Sequence, residues 1–239
     1  MTERLQKIIA RAGICSRRAA EELLREGRVS VNGKTAQLGD SADMECDTIA
    51  VDGRSLAARP PKEVYVMLNK PRGYVTTMSD ELGRKTAAEL VADCGARVLP
   101  VGRLDKESEG LLLFTNDGAL IQKLIHPKGE VDKVYRVTVR GALDGAAERL
   151  SALRDVEGEP IRAAQVTQLR RGEKDALLQV VIHEGKNRQI RRMCRQCGLE
   201  VLRLQRVAEH TLTLGDLKVG QWRYLTEQEV QALKEGEKA

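Results

Sequence analysis

The order of strand-like and helix-like segments after residue 63 constrains the fold of this 239-residue chain more than any other feature. Short runs rich in β-branched and aliphatic residues predict strands, and apolar residues three and four positions apart predict helices. The strands outnumber the helices and do not alternate regularly with them, which favours an α+β fold with a mainly antiparallel mixed sheet. The predicted strands are 64–68, 111–114, 135–139, 164–169, 177–182 and 201–207, and the predicted helices are 86–92, 119–125, 187–197 and 227–235.

The first 58 residues have a different pattern. Apolar residues recur at helical spacing in two stretches, the second of them opened by Ser16 as a predicted N-cap. At residues 29–31 apolar residues instead alternate with a polar one, which is the pattern of a strand. The Asn-Gly pair that follows is the strongest short-range signal for a hairpin. We therefore predict a small domain of two helices plus a hairpin.

Two consecutive prolines, Pro60 and Pro61, predict a stiff connection between the two patterns, because proline fixes the backbone and removes a donor. The expected division is a small domain at 1–58, a linker at 59–63 and a larger domain at 64–235.

Positive charge is concentrated in two zones, although the net charge of the chain is only +5. Residues 1–34 carry eight basic side chains against four acidic ones, and residues 184–206 carry seven against two. Two separate basic zones predict two places where a polyanion binds.

Several classes of protein are disfavoured by what the sequence does not contain. There is no apolar run of membrane-spanning length, no Gly-rich dinucleotide fingerprint and no P-loop. The five cysteines are odd in number, and the Cys194/Cys197 pair has no second pair to complete a zinc site. We expect a cytoplasmic protein without membrane contact, metal or small-molecule cofactor; a zinc-dependent nucleic-acid protein is a less favoured alternative.

Four basic residues lie near the joint between the two predicted N-terminal helices: Lys7, Arg11, Arg17 and Arg18. Such a cluster can hold phosphates of structured RNA without reading bases, although charge alone would favour a solvated face. The whole pattern over about residues 2–50 resembles the alpha-L RNA-binding domain, which is named for a ribosomal protein. The resemblance implies that this domain binds RNA.

The most specific motif is the run Val-Gly-Arg-Leu-Asp-Lys-Glu-Ser-Glu-Gly at 101–110, which continues to Gly118. It resembles the catalytic signature of the RsuA/RluB family of ribosomal RNA pseudouridine synthases. The resemblance continues in order through most of the chain. Supporting blocks lie at 68–71 with Gly73, at 133–137, at 184–193, and at 214–217 with Gly220.

The resemblance implies three catalytic residues. Asp105 matches the essential carboxylate that attacks the target nucleoside, at the base or at the sugar, whereas residue type alone would describe a turn or cap. Arg191 matches the basic residue that pairs with this aspartate and keeps it ionised. Tyr135 matches the aromatic residue that stacks on the flipped uracil and helps to remove the ring proton, although its alternating neighbours also fit a strand core.

The resemblance also implies that Arg103 reaches into the RNA helix and occupies the space left by the extruded base. Lys186, Arg188 and Arg192 lie on or beside the helix of Arg191, and their spacing predicts phosphate contacts as well as it predicts a solvated face.

The expected substrate is ribosomal RNA or a ribosomal subunit precursor. Residues 115–118, 126–127 and 133–135 are more similar to the large-subunit (23S) branch of the family than to the small-subunit (16S) branch, which is kept as the alternative. A non-catalytic ribosome-assembly protein is the alternative of another class. The chain has no long heptad pattern, so we expect a monomer.

Overall fold

The computed structural model describes residues 2–57, 62–125 and 131–236. The chain divides into two compact units. One comprises Met1–Val64 with the short segments Gly95–Arg97 and Asn116–Gly118, and the other comprises Tyr65–Cys94, Val98–Thr115 and Ala119–Ala239.

The N-terminal unit consists of two short helices, a four-stranded antiparallel sheet and a separate two-stranded one. Its elements are β1 (Glu3–Arg4), α1 (Leu5–Arg11), α2 (Arg17–Arg25), β2 (Val29–Val31), β3 (Lys34–Thr35), β4 (Ser41–Ala42), β5 (Ile49–Val51) and β6 (Arg54–Ser55). Ser16 caps α2 by accepting from the Ala19 amide at 3.1 Å, as predicted. The positive φ angles of Asn32 and Gly33 form the tight turn that joins β2 to β3. The predicted two helices plus hairpin are thus confirmed.

The larger unit is built on a mixed, mostly antiparallel sheet. Its strands are β7 (Tyr65–Lys70), β8 (Leu99–Pro100), β9 (Glu109–Thr115), β10 (Lys133–Gly141), β11 (Asp155–Val156), β12 (Glu159–Pro160), β13 (Gln165–Arg171), β14 (Ala176–Ile182), β15 (Leu199–Glu209), β16 (Leu212–Thr213) and β17 (Trp222–Tyr224). The order across the main sheet is β13-β14-β10-β15-β9-β7-β17, and β11 pairs only with β12. The β9–β15 pair is parallel. The α+β fold with a mixed sheet is therefore confirmed.

The helices of this unit are α3 (Gly118–Ile125), α4 (Ala146–Ala152), α5 (Gln189–Gln196) and α6 (Glu227–Glu235). Buried side chains of β7 and β9 pack with Leu120 of α3 and Leu233 of α6 into one apolar cluster. Thr226 and Glu229 form a capping box that begins α6 at the predicted position.

Two helical details differ from the prediction. The expected helix at 86–92 is only a 3₁₀ turn, Glu89–Val91, which follows reciprocal hydrogen bonds between Thr86 and Glu89. The unpredicted helix α4 has no side-chain cap and only two buried residues, Ala146 and Leu150, so its sequence signal is weak.

The predicted boundaries at 1–58, 59–63 and 64–235 stay a prediction, because residues 58–61 lie outside the described ranges. Residues 126–127, one of the segments similar to the large-subunit branch, also lie outside them.

Candidate active site

Four residues of the site share one row across the sheet. Lys70 of β7 pairs with Gly110 of β9, Gly110 pairs with Arg206 of β15, and Arg206 pairs with Tyr135 of β10. The loop before Gly110 carries Asp105. The sheet register therefore brings residues from four distant parts of the sequence beside the Asp105 loop.

Gly110 allows β9 and β15 to approach closely at this row. Its φ is +104°, and a Cβ atom there would lie 2.1 Å from the Arg206 carbonyl oxygen. Only glycine adopts this conformation without strain and fits the space. The glycine of the motif is thus explained by backbone packing rather than by chemistry.

The Asp105 loop is held by hydrogen bonds on both sides of the aspartate. The Thr76 hydroxyl donates to the Leu104 carbonyl oxygen at 2.7 Å and accepts from the Leu104 amide at 3.2 Å. The Gly73 amide donates to the Lys106 carbonyl oxygen at 2.7 Å. Because its main chain is anchored at these points, the loop presents the Asp105 side chain in a defined direction.

Lys70 is the most unusual anchor of the loop, because it is a fully buried lysine. Its Nζ donates to the carbonyl oxygens of Pro71 at 3.1 Å, Asp105 at 3.1 Å and Ser108 at 2.7 Å. Burial lowers the pKa of Lys70 to about 8, and the nearby Asp105 carboxylate opposes this change. All three ammonium donors are therefore used to shape the loop.

Asp105 opens into a cleft with a volume of about 270 Å³. The cleft is lined by Arg103, Leu104, Asp105, Ser108, Tyr135, Ile182, Gly185, Lys186, Asn187, Arg188, Gln189, Ile190 and Leu204. The Asp105 side chain is 32% exposed, which leaves it accessible to a bound molecule.

Tyr135 lies in the wall of the same cleft and is only 7% exposed. Burial raises the pKa of Tyr135, and the nearby charge of Arg206 partly offsets this rise. Arg206 is itself buried, donates from Nε to the Leu111 carbonyl oxygen at 2.8 Å and places Nη2 3.0 Å from Glu209 Oε2. Sequence reasoning thus placed Asp105 and Tyr135 in one site, and the structure brings them together.

The arginine within 4 Å of Asp105 is Arg188. Its Nη1 lies 3.9 Å from Asp105 Oδ2 and 2.6 Å from Glu107 Oε2. Arg188 is the N-cap residue of α5. Its φ of +48° is left-handed, a conformation uncommon for a residue with a side chain.

The predicted direct pairing of Arg191 with Asp105 is not what the structure shows. Arg191 Nη2 donates to the Glu107 carbonyl oxygen at 3.0 Å, and its Nε is buried without a hydrogen-bond partner in the described part of the chain. Burial lowers the pKa of Arg191, and the charge of Arg188 adds to the effect, whereas the Glu107 and Asp105 carboxylates oppose it. Arg191 is therefore attached to the Asp105 loop through the Glu107 carbonyl oxygen.

Two other residues predicted to contact RNA near the cleft differ in whether their side chains already have partners. Arg103 is exposed at the cleft wall, and no hydrogen bond or ion pair joins it to another described residue. Lys186 also lines the cleft but donates to the Pro160 carbonyl oxygen and lies 3.3 Å from Glu159.

Arg192 was also predicted to contact phosphate, and in the structure its guanidinium is paired with two carboxylates. Its guanidinium lies 2.9 Å from Glu157 and 2.7 Å from Glu159, and it also donates to the Val156 carbonyl oxygen at 2.9 Å. The side chain is only 17% exposed. Its donors attach α5 to the β11–β12 hairpin, and the phosphate contact of Arg192 stays a prediction.

The four predicted basic residues of the N-terminal unit fall into two pairs. Lys7 and Arg11 each lie 2.6 Å from the Glu3 carboxylate, and the hydrogen bond from Lys7 lowers the pKa of Glu3. Arg17 and Arg18 are exposed at the start of α2 and form no ion pair with another described residue. Arg17 and Arg18 are therefore the more available cations.

Burial raises the thiol pKa of both Cys194 and Cys197. Burial raises the pKa of the Cys194 thiol to about 12, which disfavours the thiolate that binds zinc. Within residues 2–57, 62–125 and 131–236, no cluster of three or more His, Cys, Asp or Glu side chains could hold a metal ion. No helix in these ranges has the length and apolar character needed to cross a membrane.

Sequence reasoning assigned no role to Lys70, Thr76 or Glu107. Lys70 had a recognisable signal, since a lysine at the end of a strand-like apolar run implies a buried charge that needs partners. Thr76 and Glu107 had none, because their contacts depend on how the loops fold.

Two family models match the chain. The RNA pseudouridylate synthase family matches residues 64–196, and the S4 domain matches residues 3–49. Ribosomal large subunit pseudouridine synthase B of Bacillus subtilis (strain 168) is 42% identical over 97% of this chain and 96% of its own length.

Two further comparisons extend the match. The dual-specificity RNA pseudouridine synthase RluF of Salmonella typhi is 36% identical over 95% of this chain and 77% of its own length. A crystal structure of a pseudouridylate synthase superimposes with a TM-score of 0.68 at 28% identity, covering 96% of this chain and 99% of that one. The chain therefore belongs to the RNA pseudouridylate synthase family and is an RNA pseudouridine synthase with an N-terminal S4 domain.

Proposed function

We propose that this enzyme converts one uridine of ribosomal RNA to pseudouridine, with Asp105 as the attacking carboxylate. The observation that carries the proposal is the rigid loop that presents a partly exposed carboxylate to a cleft walled by Tyr135. A base that remains stacked in a duplex cannot enter such a cleft, so the target uridine has to be flipped out.

The chemistry needs no redox partner and no group donor. The bond from C1′ to N1 breaks, a bond from C1′ to C5 forms, C5 loses a proton and N1 gains one. Asp105 attacks either the base or the sugar to form a covalent intermediate, and its release restores the carboxylate. The proposal therefore includes no cofactor.

In this mechanism Tyr135 stacks on the flipped uracil and takes part in removal of the C5 proton. Its aromatic ring lies in the wall of the cleft, which suits this role. Arg103 fills the gap left in the RNA; its exposure and the lack of a partner among the described residues support this. Arg188 and Lys186 line the cleft and are candidates for contacts to flanking phosphates.

The N-terminal domain, proposed at 1–58 and followed by a linker at 59–63, anchors the enzyme on ribosomal RNA or a subunit precursor. Lys7, Arg11, Arg17 and Arg18 supply its positive charge. The catalytic domain at 64–235 then acts on a nearby uridine. We further propose that the enzyme acts as a monomer in the cytoplasm.

The proposed target is large-subunit (23S) ribosomal RNA. The support is the Bacillus subtilis relative, whose name refers to the large ribosomal subunit. Small-subunit (16S) ribosomal RNA is the alternative, and a non-catalytic assembly protein would bind RNA without changing it.

The test is a pseudouridine map of both ribosomal RNAs from cells that lack the gene and from cells complemented with wild type or Asp105→Asn. We expect one large-subunit pseudouridine to disappear on deletion and to return with wild type alone. A site in the small-subunit RNA would change the target but keep the mechanism. Return of the modification with Asp105→Asn would exclude Asp105 as the nucleophile.

A further inference from the structure

Arg206 is a fully buried cation beside Tyr135. The two residues are cross-strand neighbours on β15 and β10, and both line one cavity with a volume of about 550 Å³. Arg206 is 1% exposed and Tyr135 is 7% exposed, so neither side chain moves freely in solvent. Arg206 donates from Nε to the Leu111 carbonyl oxygen at 2.8 Å. The guanidinium group is therefore attached to β9 and held next to the phenol.

The charges around Arg206 are not fully compensated. Glu209 Oε2 lies 3.0 Å from Arg206 Nη2, and Glu209 is also the cross-strand neighbour of Lys133. Two cations thus share this carboxylate. Nη2 has no hydrogen-bond partner within the described part of the chain. Because a buried donor and an uncompensated charge are costly, a further negative charge beside Arg206 would be stabilised.

Tyr135 is the side chain on which such a charge can form. A tyrosine accepts a proton as its phenolate, and burial disfavours that form by raising the pKa of Tyr135. Arg206 opposes this rise in pKa through its charge and a side-chain hydrogen bond, whereas Glu209 and Asp105 add to it. Arg206 therefore favours the phenolate and the two carboxylates disfavour it.

Other charged or titratable side chains also line the two cavities beside Tyr135. They are Arg103, Lys133, Arg162, His183, Glu184, Lys186 and Arg188. None of these seven is buried, so water and salt screen their charges more than the charge of Arg206.

We propose that Arg206 is a positioning residue that holds the phenol oxygen of Tyr135 and stabilises the negative charge on it before it accepts the C5 proton. The proposal rests on the proposed role of Tyr135 in removing that proton. In this step the C5–H bond breaks and the proton passes to the phenolate oxygen. The electron pair enters the uracil ring, where N1 takes up a proton from water. The phenol returns its proton to water before the next turnover.

The experiment is single-turnover pseudouridine formation on a ribosomal RNA transcript whose uridines carry hydrogen or deuterium at C5, with saturating enzyme from about pH 7 to pH 9.5. Arg206→Met removes the charge at similar length. We expect its rate constant to fall on the order of tenfold at a given pH, and its pH profile to move up by about one unit. The deuterium isotope effect should increase, because proton removal becomes slower than the other steps.

Two further variants change the same charges in other directions. Glu209→Gln removes a carboxylate that disfavours the phenolate, so its pH profile should move to lower pH. Arg206→Lys retains a cation and should recover part of the activity that Arg206→Met loses. A general loss of structure would not move the profiles of Arg206→Met and Glu209→Gln in opposite directions.

A matched control is Arg203→Met, which removes another arginine of β15. Arg203 is 53% exposed and lies 3.0 Å from Glu109. Its rate constant, pH profile and isotope effect should stay within about twofold of wild type. Thermal melting shows which variants are folded. If Arg206→Met does not fold, the direction in which Glu209→Gln moves the pH profile decides the question.

The proposal is overturned if a folded Arg206→Met variant keeps the wild-type rate constant and isotope effect, or if Glu209→Gln leaves the pH profile in place or moves it to higher pH. Tyr135→Phe, run in the same assay, separates the two levels of the argument. An active Tyr135→Phe enzyme with a wild-type isotope effect contradicts the proposed role of Tyr135. An inactive Tyr135→Phe enzyme beside a normal Arg206→Met enzyme contradicts only the role of Arg206.

Discussion

Replacement of Lys70 by methionine tests whether a buried charge shapes the Asp105 loop. Lys70 is fully buried, and its ammonium group donates to three carbonyl oxygens, including that of Asp105. Methionine has a similar length but neither charge nor donors. The variant therefore removes the anchor without leaving a large cavity.

The magnitude follows from the pKa of Lys70, which burial lowers from 10.5 to about 8. Between these two values the unfolded chain binds the proton and the folded protein does not, so the free energy of unfolding rises with pH. Integrated from pH 7 to pH 9.5, the gain from this residue is about 2 kcal/mol. Lys70→Met should lack that gain.

The assay is urea unfolding of wild type and Lys70→Met at several pH values from 7 to 9.5. The free energy of unfolding of wild type minus that of Lys70→Met should rise by about 2 kcal/mol from pH 7 to pH 9.5. Lys106→Met is a matched control, since Lys106 is an exposed lysine on the same loop. The free energy of unfolding of Lys106→Met should change with pH in the same way as that of wild type.

Single-turnover activity of Lys70→Met should fall on the order of tenfold or more, because the Asp105 loop loses its anchor. If the stability of Lys70→Met ran parallel to that of wild type across the pH range, the reasoning about the buried charge would be refuted. Undiminished activity would show that Thr76 and the Gly73 amide suffice to hold the loop.

Two further predictions concern residues whose roles the structure separates. Gly110→Ala should lower the free energy of unfolding by about 3 kcal/mol or more in urea titration, because the new Cβ would lie 2.1 Å from the Arg206 carbonyl oxygen. Gly118→Ala is the control, since a Cβ there meets open space, and it should change the free energy of unfolding by less than about 1 kcal/mol. Arg192→Met should lower the melting temperature and leave RNA affinity within about twofold of wild type, because Arg192 is paired with Glu157 and Glu159. Arg103→Met should leave the melting temperature unchanged and lower the single-turnover rate constant, because Arg103 lines the cleft. The opposite pattern would show that Arg103 stabilises the fold and that Arg192 serves catalysis.

The secondary structure was predictable wherever the signal is local. Ser16 and Thr226 cap helices at the predicted positions, and the Asn32-Gly33 turn forms the predicted hairpin. These features depend on a few neighbouring residues, so the rest of the chain is not needed to recognise them. Helix α4 was missed for the converse reason, since packing of Leu150 and Ala146 stabilises it more than its own sequence does.

The roles of the arginines in 188–192 could not be read from their spacing. Arg188, Arg191 and Arg192 are close in sequence, yet one contacts Glu107 and approaches Asp105, one donates to a carbonyl oxygen, and one joins the β11–β12 hairpin. Their glutamate partners, Glu107, Glu157 and Glu159, lie 33 to 84 residues away in sequence. Only the three-dimensional arrangement decides which arginine meets which partner.

The sequence by itself determined the family, the fold class, and the meeting of Asp105 with Tyr135 in one site. Ordered motifs and local periodicity carry that information because each is a property of contiguous residues. The tertiary structure alone decided that Lys70 is buried under the Asp105 loop, that Gly110 has to be a glycine, and that Arg188 rather than Arg191 lies beside the carboxylate. Those outcomes depend on sheet register, which brings distant strands into one row and sets angström-scale distances that no pattern along the chain encodes.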